Sequence, residues 1–305
     1  MESTDKIDAM RRMQEHIAAH LDEEITLDAL GEAADYSKYH AARTFAQLTG
    51  QTPFAYIRAL RLTRAAQALR DGRLVGTSPV IDAALDSGFG SHDGFTRAFA
   101  RRFGITPQKY ARETPPVRYF VAYPVVYPRI FDKEETPMQE AVSKIVTVTA
   151  VERRARRLVL LRAKNTKDGD YFAYCEEMGC DWEGLLGSIP EKFDAPALLI
   201  LPPNLVKPGT GNTAAGVEVP ADYAKPIPEG YDVIDLPPCT MLYFRGARYE
   251  NEDDFCKAID IVWEALDSYD PVPYGWQFAP ELALRFNFGA SAAGGAIMAV
   301  PVRKA

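Results

Sequence analysis

The chain reads SKYHAARTFAQLTGQTPFAYIR at residues 37–58 and SHDGFTRAFARRFGITPQKYAR at residues 91–112. The second stretch follows the first with a shift of 54 positions, and nine of the 22 aligned residues are identical. The identical pairs are Ser37/Ser91, Arg43/Arg97, Phe45/Phe99, Ala46/Ala100, Gly50/Gly104, Thr52/Thr106, Pro53/Pro107, Tyr56/Tyr110 and Arg58/Arg112. A repeat of this kind indicates that one supersecondary unit is used twice.

Both copies carry the residues that start, stop and restart a helix. The serine that opens each copy can accept hydrogen bonds from the free backbone N–H groups of a helix start. The glycine can adopt the left-handed conformation that ends a helix, and the Thr-Pro pair then supplies a cap and a first-turn proline. These positions are Ser37, Gly50, Thr52 and Pro53 in the first copy and Ser91, Gly104, Thr106 and Pro107 in the second.

A shorter helix is predicted ahead of each copy. Residues 26–34 precede the first copy and residues 79–86 the second, each followed by a short turn. A short helix, a tight turn and a second helix form the helix-turn-helix pattern. Residues 55–69 carry an apolar stripe, which predicts a linker helix that packs against both motifs.

Charge is concentrated in the same part of the chain. The whole sequence has a net charge of −7, but residues 43–112 carry eleven basic and four acidic side chains, which gives +7. Residues 1–36 carry three basic and ten acidic side chains, and residues 115–305 carry twenty and twenty-seven. The basic segment is either a polyanion-binding face or a solvated helical surface.

These motifs give the chain a specific resemblance. Residues of about 7–114 resemble the DNA-binding domain of the AraC/XylS family of transcription regulators. The stretches that carry it are residues 34–45, 50–58, 83–89, 95–99 and 103–107. The resemblance implies seven helices and two recognition helices that enter successive major grooves on one face of DNA. One turn of DNA spans roughly 34 Å, about 10 base pairs.

The helical periodicity of each recognition helix separates a core face from a free face. The predicted core residues are Ala41, Phe45 and Leu48 in the first helix and Phe95, Phe99 and Phe103 in the second. The predicted DNA contacts are Lys38, Tyr39, His40, Ala42 and Arg43, and His92, Asp93, Thr96 and Arg97. Arg43 and Arg97 are the best candidates for reading bases, because a guanidinium can grip guanine with two hydrogen bonds. His40 is either a phosphate contact or an ordinary surface histidine.

A different domain follows. Residues 1–114 are predicted as the DNA-binding domain, residues 115–142 as a proline-rich connector and residues 143–305 as an α+β domain. In this last part, strands are predicted at 144–151, 157–162, 197–201, 215–219, 231–236, 240–245, 282–288 and 296–302, with helices at about 168–186 and 251–269. Two strand-helix-strand-strand units of this kind imply a pseudo-dimer with a groove between its halves.

Residues 143–305 resemble the GyrI-like effector-binding domain that several AraC-type regulators carry. The stretches that carry this resemblance are residues 216–220, 228–234, 249–252 and 300–304. The resemblance implies a groove that binds amphipathic or cationic small molecules through aromatic side chains and a central glutamate. The candidate ligand contacts are Glu218, Tyr171, Tyr174, Trp182, Tyr243, Trp263, Tyr274, Trp276 and Glu281. Glu218 faces either the groove or solvent, and Trp263 also fits a packing role on a buried helical stripe.

Composition excludes several other classes of protein. Apolar residues make up 47% of the chain and charged residues 25%, which is typical of globular domains. No stretch approaches the roughly 20 apolar residues of a membrane span, and the polar N-terminus does not resemble a signal peptide. The four cysteines have no zinc spacing, and His16 and His20 lack a third ligand. The expectation is a cytoplasmic protein with no cofactor, no metal and no catalytic residues.

Two hypotheses about function follow. The first is a transcription regulator whose partners are double-stranded DNA, a small-molecule effector and RNA polymerase, with its oligomeric state open. The second is a GyrI-like hydrolase of electrophilic small molecules, or a regulator that also degrades its inducer, in which Glu218 acts as a general base on water.

Overall fold

The computed structural model describes residues 2–72, 91–122 and 143–305, with side chains from Asp5 onward. The chain divides into two compact units, residues 1–132 and residues 133–305. The predicted helix at 79–86 with its turn, and residues 123–142 of the predicted connector, lie outside the described residues.

The described part of the first unit is helical. Its helices are α1 (Glu2–Ala19), α2 (Leu27–Ala34), α3 (Lys38–Thr49), α4 (Pro53–Asp71), α5 (His92–Phe103) and α6 (Pro107–Glu113). The predicted caps are confirmed, since the side chains of Ser37, Thr52, Ser91 and Thr106 each accept from a backbone N–H of the helix they open. Gly50 and Gly104 end α3 and α5 in the left-handed conformation, with φ of 71° and 70°.

Within residues 2–72 and 91–122, two separate apolar clusters form the core. The first surrounds Phe45 and contains side chains of α1, α2, α3 and the start of α4. The second surrounds Phe99 and contains side chains of the rest of α4, α5, α6 and residues 117–119. Helix α4 contributes to both clusters, Tyr56 and Ile57 to the first and Leu62 to the second, which confirms the predicted linker helix.

The first residues of the predicted connector pack on this unit. Val117 and Tyr119 are buried in the second cluster, and the ring of Phe120 packs edge-on against Tyr56 at 5.0 Å. The hydroxyl groups of Tyr110 and Tyr119 are hydrogen-bonded at 2.8 Å. Residues 117–120 are therefore part of the helical unit rather than a spacer.

The second unit combines one sheet with three helices within residues 143–305. The strands are β1 (Val146–Arg153), β2 (Arg156–Arg162), β3 (Ala197–Ile200), β4 (Thr213–Pro220), β5 (Asp232–Leu236), β6 (Cys239–Gly246), β7 (Trp276–Phe278), β8 (Arg285–Ser291) and β9 (Gly295–Lys304). The helices are α7 (Tyr171–Met178), α8 (Asp181–Gly187) and α9 (Phe255–Ser268). The single helix predicted at about 168–186 is wrong, because Gly179 adopts a φ of 75° and separates α7 from α8. Strand β7 was not predicted.

The sheet is antiparallel and consists of two related halves. Its order is β1-β6-β9-β8-β3-β4-β2-β5, and β7 pairs with β9. The halves meet where β3 pairs with β8, with Leu199 opposite Phe286. Strand β1 precedes β2 in the chain but pairs with β6, and β5 precedes β6 but pairs with β2. The edge strands of the two halves are thus exchanged.

The two faces of this sheet are covered differently. Val217 and Val219 belong to a cluster shared with α7 and α8, and Leu242 and Phe244 belong to a cluster shared with α9. Side chains on the opposite face form a third cluster that contains residues of both halves, such as Leu158 and Tyr243. The predicted groove face is therefore packed with buried side chains around the middle of the sheet.

Candidate DNA-binding surface and effector site

The first helix-turn-helix motif is held by a close contact between α2 and the turn. Asp35 ends α2 in the left-handed conformation, and the backbone N–H of Tyr36 donates to the Gly31 carbonyl at 2.8 Å. A Cβ atom on Gly31 would lie only 2.7 Å from the Tyr36 carbonyl oxygen and 3.1 Å from the Lys38 nitrogen. The missing side chain therefore sets how closely α2 approaches the start of α3.

Gly31→Ala is expected to destabilise the first unit by about 1–3 kcal/mol, because backbone atoms must move to admit the methyl group. Urea unfolding followed by circular dichroism measures this change. Glu32→Ala is the matched control, since Glu32 is the exposed next residue on the same helix. Equal midpoints for the two variants would contradict the close-contact argument.

Helix α3 presents a polar surface opposite its core face. Ala41 and Phe45 are fully buried, as predicted, while Tyr39 is 72% exposed and Arg43 is also exposed. Ala42 is half-buried and offers no hydrogen bond to a base edge. The exposed side of α3 therefore presents the Tyr39 ring and the Arg43 guanidinium.

Two other predicted contacts on α3 already have protein partners. The ammonium group of Lys38 lies 3.1 Å from a carboxylate oxygen of Asp28 on α2. The ring of His40 packs edge-on against Tyr36, with 4.2 Å between ring centroids. Both pairs are at the surface, where such interactions are weak. Lys38 and His40 could therefore give up these partners for DNA at little cost in free energy.

Helix α5 repeats this arrangement in the second copy. Phe95 and Phe99 are fully buried, and His92, Asp93 and Arg97 are exposed. His92 Nδ1 lies 3.6 Å from the carboxylate of Asp93. The Thr96 hydroxyl is buried and bonds to none of the described residues. Arg97 is therefore an exposed cation on the free face, at the position equivalent to Arg43.

In the second unit, Glu218 lies within a buried cluster of charged groups. Its Oε1 accepts from Arg156 Nε at 2.6 Å, and its Oε2 lies 3.7 Å from Arg153 Nε. Arg153 also bonds to Asp194 and to the Tyr243 hydroxyl, which donates to Asp194 at 2.7 Å. Burial raises the pKa of Glu218, whereas the two guanidinium groups favour its charged form. Glu218 is only 5% exposed, because Arg156 and Arg153 lie against its two oxygens, so its carboxylate faces neither open solvent nor a free groove.

The arginines of this cluster connect the two halves of the sheet. Arg156 begins β2, bonds to Glu218 on β4 and donates to the Pro237 carbonyl at 2.7 Å, just before β6. Arg153 ends β1, which pairs with β6, yet it bonds to Asp194 next to β3. These arginines were not among the predicted site residues. The only sequence signal was the run of four arginines within residues 153–157, which is also typical of a solvated surface.

The predicted aromatic contacts do not come together around Glu218, apart from Tyr243. Tyr174 on α7 and Trp182 on α8 are core residues, and Tyr171 packs against the same cluster. Trp263 and Trp276 pack against the α9 cluster, and the Arg285 guanidinium lies 5.5 Å from the Trp263 ring. The remaining two lie at the surface, where Tyr274 is 68% exposed and stacks on Tyr269, and Glu281 pairs with Arg303 at 2.6 Å. Phe288 stacks on Tyr243, with 5.9 Å between the ring centroids.

Neither a metal-binding cluster nor a membrane-spanning helix is found among the described residues. Their side chains contain no group of three or more His, Cys, Asp or Glu residues that could hold a metal ion. The rings of His16 and His20 stack at 4.2 Å, and His20 Nδ1 lies 2.9 Å from the His16 carbonyl oxygen. No helix in the same ranges is long and apolar enough to cross a membrane.

Comparison with known proteins identifies the helical unit. The family described as "Helix-turn-helix domain" matches residues 30–113. Transcriptional regulator Rob of Salmonella typhimurium is 42% identical over 98 residues, which cover 32% of this chain and 32% of that protein. Regulatory protein SoxS of the same organism is 38% identical over 96 residues, which cover 32% of this chain and 86% of that protein. The match thus spans about a third of the length of Rob but most of SoxS.

One solved structure is similar in sequence to part of this chain. A probable AraC family transcriptional regulator from Rhodopseudomonas palustris is 29% identical, with a TM-score of 0.32, over 34% of this chain and 94% of that one. The curated relatives named here are regulators and not enzymes. Through its helix-turn-helix unit, the chain therefore belongs to the AraC family of DNA-binding transcription regulators.

Proposed function

We propose that this chain regulates transcription by reading two DNA boxes, one through α3 and one through α5. The observation that carries the proposal is the equivalence of these helices, which share the same caps, the same buried phenylalanine and an exposed arginine at the same position. One chain then supplies the two recognition helices that a dimer supplies when each subunit carries a single motif.

Arg43 and Arg97 are the proposed base readers. Each is exposed on the face opposite a fully buried phenylalanine, so its guanidinium can reach a base edge without disturbing the core. Guanine offers two acceptors in the major groove, and a guanidinium can donate to both. Tyr39, which is 72% exposed on α3, would contact a thymine methyl group or a phosphate, whereas the predicted contact through the Thr96 hydroxyl is disfavoured because that hydroxyl is buried.

Arg43→Ala and Arg97→Ala are each expected to lose about 1–3 kcal/mol of discrimination at one box. Selection of bound DNA from a random pool, at about 0.15 M salt, would show base preference relaxed in one box and retained in the other. Lys109→Ala is the control, because Lys109 is an exposed cation on α6, outside both recognition helices, and its loss should leave base preference unchanged. Unchanged preferences in both variants would overturn the assignment.

The second unit is proposed to be a GyrI-like domain that binds a small-molecule effector. Two related half-sheets with exchanged edge strands support this proposal, because such an arrangement offers one shared face between the halves. The pairing of Glu218 with Arg156 and Arg153 favours an amphipathic effector over one selected for positive charge. It also disfavours the hydrolase alternative, because Glu218 is only 5% exposed and its two oxygens already face Arg156 and Arg153, which leaves little access for a water molecule.

Regulation by the effector requires that it bind two states of the chain with different affinity. RNA polymerase is the proposed protein partner, since a DNA-bound regulator acts by changing the access or activity of polymerase at a promoter. Both proposals depend on DNA recognition by α3 and α5. The binding-site selection should therefore be done before either is tested.

A further inference from the structure

Two cysteines lie where α7 ends and α8 begins. Cys175 is in the last turn of α7, and Cys180 directly precedes the first residue of α8. The backbone N–H of Gly179 donates to the Cys175 carbonyl at 2.9 Å, and Gly179 then leaves the helix with a φ of 75°. This turn brings the two side chains together, and their thiol groups are hydrogen-bonded to each other. Neither cysteine is part of a disulfide.

The turn that holds these thiols is open to small molecules. Gly179 is exposed, and a Cβ atom added to it would have no other atom within 4 Å. Cys175 and Cys180 are themselves half-buried, although the neighbouring rings of Tyr174 and Trp182 are in the core. A molecule of the size of hydrogen peroxide can therefore reach the pair in the folded chain.

The other two cysteines have partners of a different kind. Cys239 Sγ accepts from Arg156 at 3.3 Å and lies 3.7 Å from the Met241 sulfur. Cys256 is in the first turn of α9, and the charge of Asp260 raises its pKa after burial has done so. The turn between α7 and α8 is therefore the place among the described residues where two thiols meet.

Charges around the pair select both the attacking sulfur and the kind of oxidant. Burial, the hydrogen bond with Cys175 and the charges of Glu183 and Asp181 raise the pKa of Cys180 to about 12. Cys180 therefore keeps its proton at neutral pH, which leaves Cys175 as the attacking sulfur, since the thiolate is the nucleophile. The two carboxylates repel anionic oxidants such as glutathione disulfide, but they do not repel a neutral hydroperoxide.

We propose that Cys175 and Cys180 are a site of reversible disulfide formation by hydroperoxides. The Cys175 thiolate attacks one oxygen of hydrogen peroxide, the O–O bond breaks, and Cys175 becomes a sulfenic acid while hydroxide leaves and takes up the thiol proton as water. The Cys180 sulfur then attacks the Cys175 sulfur and loses its proton, and the sulfenic hydroxyl leaves as a second water. The two sulfurs lose two electrons in total, and one peroxide is reduced to two water molecules.

The new bond would join the last turn of α7 to the start of α8. It closes a ring of six residues, from Cys175 to Cys180. The site depends neither on DNA recognition by α3 and α5 nor on the effector proposed for the other face of the sheet.

The test exposes the reduced full chain to hydrogen peroxide and maps its cysteines by alkylation and mass spectrometry. Trypsin cuts after Lys167 and Lys192, so both cysteines lie on one peptide, residues 168–192. We expect this peptide to become lighter by two hydrogen atoms and to resist alkylation until dithiothreitol is added. Cys239 and Cys256 are internal controls and should be oxidised about tenfold more slowly, because they lack a partner thiol.

Two serine variants separate the steps, and circular dichroism checks that both are folded. Cys180→Ser should leave Cys175 as a sulfenic acid that dimedone traps, whereas Cys175→Ser should leave Cys180 no more reactive than Cys256. Oxidation of the pair no faster than that of Cys256 would overturn the proposal. So would cross-links between chains in place of the internal disulfide. The opposite pattern of dimedone adducts would overturn the assignment of Cys175 as the attacking sulfur.

Discussion

Glu218→Ala is expected to lower the free energy of unfolding of the second unit by about 3–5 kcal/mol, the cost of removing one partner from a buried ion pair. The side chain of Arg156 is fully buried, and its Nε donates to Glu218 at 2.6 Å. Without Glu218, that guanidinium keeps only bonds to neutral groups such as the Pro237 carbonyl. Arg153 loses its 3.7 Å contact with Glu218 in the same step but keeps its bond to Asp194.

Denaturant unfolding of the full chain, followed by tryptophan fluorescence, measures this loss, because all three tryptophans lie in the second unit. Glu281→Ala is the control, since Glu281 and Arg303 form an exposed pair that is worth about 0–1 kcal/mol. The double variant Arg156→Met with Glu218→Leu should recover part of the stability, because an apolar pair avoids the buried charge. A Glu218→Ala loss no larger than that of Glu281→Ala would contradict the buried-charge argument.

Phe99→Ala is expected to destabilise its half of the helical unit by about 3–5 kcal/mol, and Phe45→Ala should have a similar effect on the other half. Both side chains are fully buried at equivalent positions of the repeat, but they belong to separate clusters. Each truncation leaves a cavity that its neighbours can fill only in part. The damage should therefore be largest within the half that carries the change.

Hydrogen exchange read by mass spectrometry distinguishes the halves. Phe99→Ala should deprotect α5 and α6 more than α2 and α3, and Phe45→Ala should reverse this order. Phe54→Ala is the control, because Phe54 is 47% exposed on α4. Equal deprotection of both halves in each variant would show that the helical unit unfolds as one cooperative body rather than as two.

The helical unit could be predicted closely because its signals are local. A cap, a left-handed glycine and a Thr-Pro pair act within a few residues, so Ser37 and Gly50 fix the ends of α3 without reference to the rest of the chain. The pairing of Lys38 with Asp28 could not be predicted in the same way. It depends on the angle between α2 and α3, which in turn depends on the close contact at Gly31.

The second unit was predictable in its strands but not in their partners. Alternation along β4 places Glu218 on the face opposite Val217 and Val219, yet alternation does not say what covers that face. The covering groups come from distant parts of the chain, since Arg153 and Arg156 lie more than sixty positions before Glu218. The exchange of edge strands is equally non-local, because Val146 pairs with Gly246. The positions of the strands in each half-sheet can be predicted from the local sequence. Which strand pairs at the edge of each half is visible only in the folded chain.

Helix α4 also sets a rule for how target sites can vary. This one rigid rod of 19 residues, about 28 Å long, contributes to both cores and so fixes the distance between α3 and α5. Base substitutions in either box would weaken binding by graded steps. A single inserted or deleted base pair between the boxes would instead rotate one box by roughly a tenth of a turn relative to the other. DNA sites bound by this chain are therefore expected to differ in base sequence but to share one number of base pairs between the two boxes. A genome search for such sites should fix this spacing first.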